Sequence, residues 1–143
     1  MSLSRAMDIS ATGLTAERTR IETIAQNIAN VETVVDGGQP YRRREVVLAS
    51  QSGFGHGIAA RLGKAGVAGG VRVAAIREDT TPPLLVYRPE DPAADAQGYV
   101  HLSNVNLPME MVDMVSATRA YEANAAAFKA GKETLRRTLD ILR

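Results

Sequence analysis

Cysteine and tryptophan are absent from this sequence, and histidine occurs only at His56 and His101. The first absence excludes disulfides, thiolate zinc sites and thiol catalysis, and it leaves oxidising and reducing compartments equally open. Neither histidine has a second one at ligand spacing, so no metal site is expected. Aromatic residues make up 4% of the chain, so the core must be built from Val, Leu, Ile, Met and Ala and is thin. No apolar run approaches the ~18 residues that a membrane span needs, and direct membrane insertion is not expected. The amino end lacks a basic-then-apolar leader, because Asp8 interrupts it; export, if it occurs, is expected without a cleaved signal. A formal net charge of +1 gives no electrostatic reason to expect nucleic acid as a partner. The run Tyr41-Arg42-Arg43-Arg44 is too short to change that and reads as a solvated strand edge or a salt-bridging patch.

What is present is a chain of 143 residues, 45% of them hydrophobic, in three segments of different character. The first, 1–31, carries Leu3, Met7, Leu14, Ile21, Ile24, Ile28 and Val31 at spacings of threes, fours and sevens, which predicts one long helix. Ser10 and Glu17 fill the gaps in that stripe. The third segment, 107–143, repeats the pattern: Leu107, Met114, Tyr121, Phe128, Leu135 and Leu142 fall every seventh residue, joined by Met111 and Leu139. Thr118, Ala125 and Lys132 occupy the alternate positions, and Pro108 fits only in the first turn.

The middle segment, 32–106, holds five of the six prolines and little helical periodicity. Four β-branched runs bounded by turn residues, starting near Arg44, Gly70, Pro83 and Gly98, predict short strands. Seven of the twelve glycines lie between Gly53 and Gly70, which predicts a flexible loop. The expected fold is therefore α+β: long N- and C-terminal helices packed as an antiparallel coiled coil, with a small β-rich insert between them. Glu17 and Lys132 fall on core positions of the seam and are expected either to lie near each other or to face neighbouring subunits.

No constellation supports catalysis, and no cofactor is expected. Gly55, Gly57 and Ala60 match G-x-G-x-x-A, with Glu78 downstream, but glycines at 63, 66, 69 and 70 prevent the helix that must receive a pyrophosphate. The asparagines are more informative. Asn30 and Asn106 suit caps, whereas Asn27 and Asn124 lie inside helical patterns, where an amide can fix how helices meet.

At these residues a resemblance appears. Asn27, Asn30 and Thr33 form the Asn-x-x-Asn-x-x-Thr that marks the end of the first helix in flagellar axial proteins, the rod and hook family. The stretches from Gly37 to Val47 and from Arg88 to Asn124, including Gly98-Tyr99-Val100 and Arg119-Ala120-Tyr121-Glu122-Ala123-Asn124, resemble the proximal rod members of that family. Ser103 stands where proline is common there and is expected to loosen the connection into the last helix; the 53–70 loop matches no pattern. The resemblance implies a non-enzymatic structural subunit that assembles with further copies of itself and other rod subunits. It also implies delivery by the flagellar type III export apparatus. Asn27, Asn30, Thr33, Asn124 and the two seams are implied to form the helical layer. The alternatives are a different rod subunit with the same helices, or a free-standing cytoplasmic coiled-coil module.

Overall fold

The computed structural model describes residues 3–35, 39–51 and 69–141. Helix α1 spans Leu3–Ala29, and helix α2 spans Leu107–Ile141. Between them lie six short strands, β1 (Val34–Val35), β2 (Gln39–Pro40), β3 (Arg44–Ser50), β4 (Val71–Glu78), β5 (Leu84–Tyr87) and β6 (Tyr99–Leu102). They pair in sequence order as three antiparallel ribbons: β1 with β2, β3 with β4, β5 with β6. The four β-branched runs of the sequence are β3 to β6. Position 142 and the glycine-rich stretch 52–68, where a flexible loop is expected, lie outside the described residues.

The helices run antiparallel. Asn27 faces Glu110, Arg20 faces Asp113, Gly13 faces Asn124 and Met7 faces Gly131. The seam is made of small residues. Gly13 and Ala16 on α1, and Ala117 and Gly131 on α2, are buried, so the backbones approach closely. A Cβ on Gly13 would stand 2.8 Å from Asn124 Oδ1, and one on Gly131 would stand 2.8 Å from Met7 Cγ. At 1.5 Å per residue α1 is roughly 40 Å long and α2 roughly 52 Å. The last two turns of α2 therefore project past Leu3, leaving Leu135 and Leu139 exposed at 43% and 59%.

The covered line of α2 differs from the expected stripe. Glu110, Ala117 and Gly131 are the buried residues, with Asn124 half-buried on the same line. Met114 and Phe128 flank it half-buried, while Leu107, Met111, Tyr121, Leu135 and Leu139 are exposed in the single chain. On α1, Ile24 is buried and Met7, Leu14, Ile21 and Ile28 are half-buried. The reason for the rotation is steric: a thin interface gains more dispersion contact by seating backbones against Gly and Ala than by holding them apart on Leu and Met. Glu17 and Lys132 are far apart in this register. Glu17 lies 3.7 Å from Arg20, and Lys132 is exposed beside Gly131, level with the first turns of α1.

The β3–β4 ribbon lies along α1. At one end Asn27 holds both backbone groups of Arg44; at the other Val71 N donates to Thr12 Oγ1 at 3.2 Å. The lengths match, since α1 rises about 22 Å from Thr12 to Asn27 and β3 about 20 Å from Arg44 to Ser50. The register steps between Val47 and Leu48, leaving Ala74 without a partner on β3. Val71, Val73 and Ala75 on β4 turn inward, with residues 72, 74 and 76 outward. Gly70 has φ +106° and crowds Thr12, a conformation and an approach that suit only glycine.

Candidate functional site: the polar joint between helices and insert

Chain geometry brings α1's end, α2's start and the first residue of β3 to one point. Asn27 sits at its centre, 0% exposed, with all its hydrogen-bonding capacity used. Its Nδ2 donates to Arg44 O at 2.8 Å and to Glu110 Oε2 at 3.0 Å. Its Oδ1 accepts from Tyr41 OH at 3.0 Å and from Arg44 N at 2.9 Å. One side chain thus ties α1 to α2 and to both sides of the insert's first connection.

The Asn-x-x-Asn-x-x-Thr run acquires a physical meaning here. Asn27 is the hub. Asn30 ends the helix, its Nδ2 and backbone N both bonding to Gln26 O, at 2.8 and 3.1 Å. Thr33 offers its carbonyl to Tyr41 N at 3.1 Å, which turns the Tyr41 ring back so that its hydroxyl reaches Asn27. Thr33's own side chain is exposed.

Glu110 is the second centre, also 0% exposed. Besides Asn27 it accepts from Arg43 Nε at 2.6 Å. Arg43 reaches Asp113 at 3.6 Å and Asp79 at 4.0 Å as well, while Arg20 reaches Asp113 at 3.9 Å. Burial works against the Arg43 charge, yet its pKa is raised because the Glu110 hydrogen bond and the charges of Glu110, Glu45 and Asp113 outweigh it. Burial, opposed by Arg44, also holds the Tyr41 phenol above its ordinary value, so it stays a donor to Asn27. Asn104 closes the network: its Oδ1 accepts Arg43 N at 2.7 Å, and its Nδ2 donates to the carbonyls of Asp79 and Thr81.

The connection into α2 is braced rather than loosened. Ser103 is 3% exposed and its hydroxyl accepts Val105 N at 3.2 Å, a bond that proline could not make. Asn106 caps α2 by accepting Met109 N at 3.2 Å, with Pro108 in the first turn.

Of the residues singled out from sequence, Asn27 is in the joint and Asn30 and Thr33 build its approach. Asn124 lies mid-seam, donating to Ala120 O at 2.9 Å. Glu110 and Asn104 were not among the residues singled out as a site. Of the two expected readings of the Tyr41–Arg44 run, the salt-bridging patch is the one found for Arg43 and Arg44, and the run was not placed at the joint. A signal existed: Glu110 shares a seven-residue line with Ala117, Asn124 and Gly131, and a carboxylate on a buried line requires a cation, which the Arg42–Arg44 run supplies.

Nothing in this arrangement suits chemical turnover. Among the described residues no group of His, Asp and Glu is placed to hold a metal, and no helix is long and apolar enough to cross a membrane. The joint is a fastening, and the fold around it defines a structural subunit with paired terminal helices carrying a small insert. Comparison with known proteins gives the same class. Residues 7–34 match the family model of the flagella basal body rod protein, and residues 96–141 that of the flagellar basal body rod FlgEFG protein C-terminal. The flagellar basal-body rod protein FlgC of Borreliella burgdorferi is 45% identical over 99% of both chains. Those of Bacillus subtilis and Yersinia enterocolitica are 42% and 39% identical, covering 99% of this chain and 99% and 98% of theirs. The chain belongs to the FlgC family of flagellar basal-body rod proteins, which are structural components and not enzymes.

Proposed function

We propose that this protein builds the rod by using its two helices as the packing layer, against further copies of itself and against other rod subunits, with the insert on the outer side. The observation that carries the reading is the apolar surface α2 keeps after α1 has docked. Met111, Val112 and Val115 are 58%, 64% and 52% exposed and lie together on one face, and Leu135 and Leu139 project beyond α1. A chain with so thin a core leaves this much apolar area in water only where a partner covers it. Leu107, Met111, Tyr121, Leu135, Leu139 and Leu142 are assigned to that intersubunit surface; Met7, Leu14, Ile21, Ile24, Ile28, Met114, Asn124 and Phe128 serve the pairing within the chain. Asn27, Asn30 and Thr33 hold the joint that presents both.

Delivery in this reading runs through the flagellar type III export apparatus without a cleaved signal, to a rod crossing the periplasm, with no nucleic acid partner and no membrane insertion. Mass spectrometry of purified hook–basal bodies tests it. Stoichiometric recovery of the tryptic peptide Ala120–Lys129 in the rod fraction is expected; finding the protein only as a soluble cytoplasmic species would overturn the assignment and favour a coiled-coil module.

A further inference from the structure

The helix seam by itself defines axial position poorly. Its central line on α2 is Glu110, Ala117, Asn124 and Gly131; on α1 Gly13 and Asn27 are buried and Arg20 half-buried at the same seven-residue spacing, which exposed Ala6 continues at the edge of the seam. A slide of one heptad, about 10 Å at 1.5 Å per residue, would set Asn124 against Ala6, Ala117 against Gly13 and Glu110 against Arg20. Two of these meetings are small against small or medium, and the third sets a carboxylate against a guanidinium. Glu110 would even gain a guanidinium, and Arg20 already stands 3.9 Å from Asp113 on the same turn of α2. A cleft of about 290 Å³ between α1, β3 and the start of α2, lined by Arg20, Ile24, Arg43, Val46, Glu110 and Asp113 among others, borders that turn.

Several contacts distinguish the observed register from the shifted one: Gly13 against Asn124, the Arg20–Asp113 pair, and two further ones. One is apolar, Met7 over Gly131. The other is the polar joint, in which Glu110 meets donors from Asn27 and Arg43 that are both tied to β3. A slide would leave Asn27 Nδ2 with Arg44 O as its sole acceptor and part the Arg43–Glu110 pair, so a buried amide N–H and a half-buried guanidinium lose their partner, which costs more than the lost contact between neutral surfaces. We infer that Asn27, Glu110 and Arg43 form a register lock: they select one of two axial alignments that the small-residue seam would otherwise admit. Glu110 is the positioning residue, and the insert takes part because it supplies Arg43.

The chain has no cysteine, so spin labels at Arg18→Cys and Lys132→Cys report the offset without background. Both sites are exposed, and a one-heptad slide lengthens their separation by about 10 Å, which electron–electron double resonance resolves. The otherwise wild-type chain is expected to give one distance, and Glu110→Leu a second population about 10 Å longer. Met7→Ala, which removes an apolar register-specific contact, is expected to keep the single distance. Glu110→Gln keeps the shape but turns one amide nitrogen toward a donor, so it is expected to show the longer population at a lower fraction. It decides the matter if Glu110→Leu loses helix content. A single native distance in a folded Glu110→Leu, or in Glu110→Gln, overturns the lock; so do two distances in the parent, or a shift in Met7→Ala alone. The readout is intramolecular, so its failure leaves the rod assignment untouched, and absence from basal bodies leaves the lock untouched.

Discussion

Gly13 and Asn124 share one hollow: the carboxamide of Asn124 occupies the space in which a Cβ on Gly13 would lie, 2.8 Å from its oxygen. The two positions define how near α1 and α2 come at mid-length, and their substitutions are therefore coupled. Gly13→Leu is expected to destabilise the chain by about 2 kcal/mol through overpacking. Gly13→Ala gains about 1 kcal/mol of helix propensity but collides with Asn124, and adding Asn124→Ala should release that gain. Urea denaturation of the four chains of this cycle checks it; strict additivity would show that the helices stand farther apart.

Asn27 and Asn124 look alike in sequence but differ in how much depends on them. Asn27→Ala orphans Tyr41 OH, both backbone groups of Arg44 and one oxygen of Glu110, all at a buried point. A loss of about 3 kcal/mol is expected. Asn124→Ala breaks only a bond to Ala120 O within its own helix and should cost less than about 1 kcal/mol. Equal losses in thermal denaturation would contradict the hub.

The turn before β6 carries a pH dependence. The Tyr99 amide, offset in part by desolvation, and then the Gln97 amide and His101, hold the Asp95 carboxyl below its ordinary value. A pKa lowered by folding contributes stability above the unfolded value, and that contribution is lost as pH falls through the folded one. The Gln97 and Tyr99 amides, bonded to Asp95 at 2.9 Å each, should therefore lose protection relative to their intrinsic exchange rates once the pH drops below the ordinary carboxylate range. Asp95→Asn should flatten that dependence in hydrogen-exchange measurements across the same range.

At the projecting end of α2, Leu135→Asp is expected to leave the chain's own stability within about 0.5 kcal/mol, because an exposed side chain is replaced. Motility and recovery in the rod fraction should nevertheless be lost, since a charge then sits on a surface assigned to neighbours. Normal swimming in that strain would remove Leu135 from the interface.

Much of this protein was legible in its residues. Heptad spacing, a proline admissible only in a first turn and four β-branched runs between turn residues specify two long helices around a β-rich insert. These are local signals, set by the periods of helix and strand. The Asn-x-x-Asn-x-x-Thr run marked where the first helix ends. What only the tertiary structure decided was which face of each helix is covered and what lies at the joint. Hydrophobic spacing favoured the stripe from Leu107 through Met114, Tyr121, Phe128 and Leu135, joined by Met111 and Leu139, but the covered line runs through Glu110, Ala117, Asn124 and Gly131, because close approach rewards small residues more than large ones when the core is thin. Glu110 can be buried because Arg43 and Asn27, brought from 67 and 83 residues away, give its charge and its lone pairs a place to go. A buried carboxylate is paid for by partners, and partners distant in sequence are fixed only by the fold.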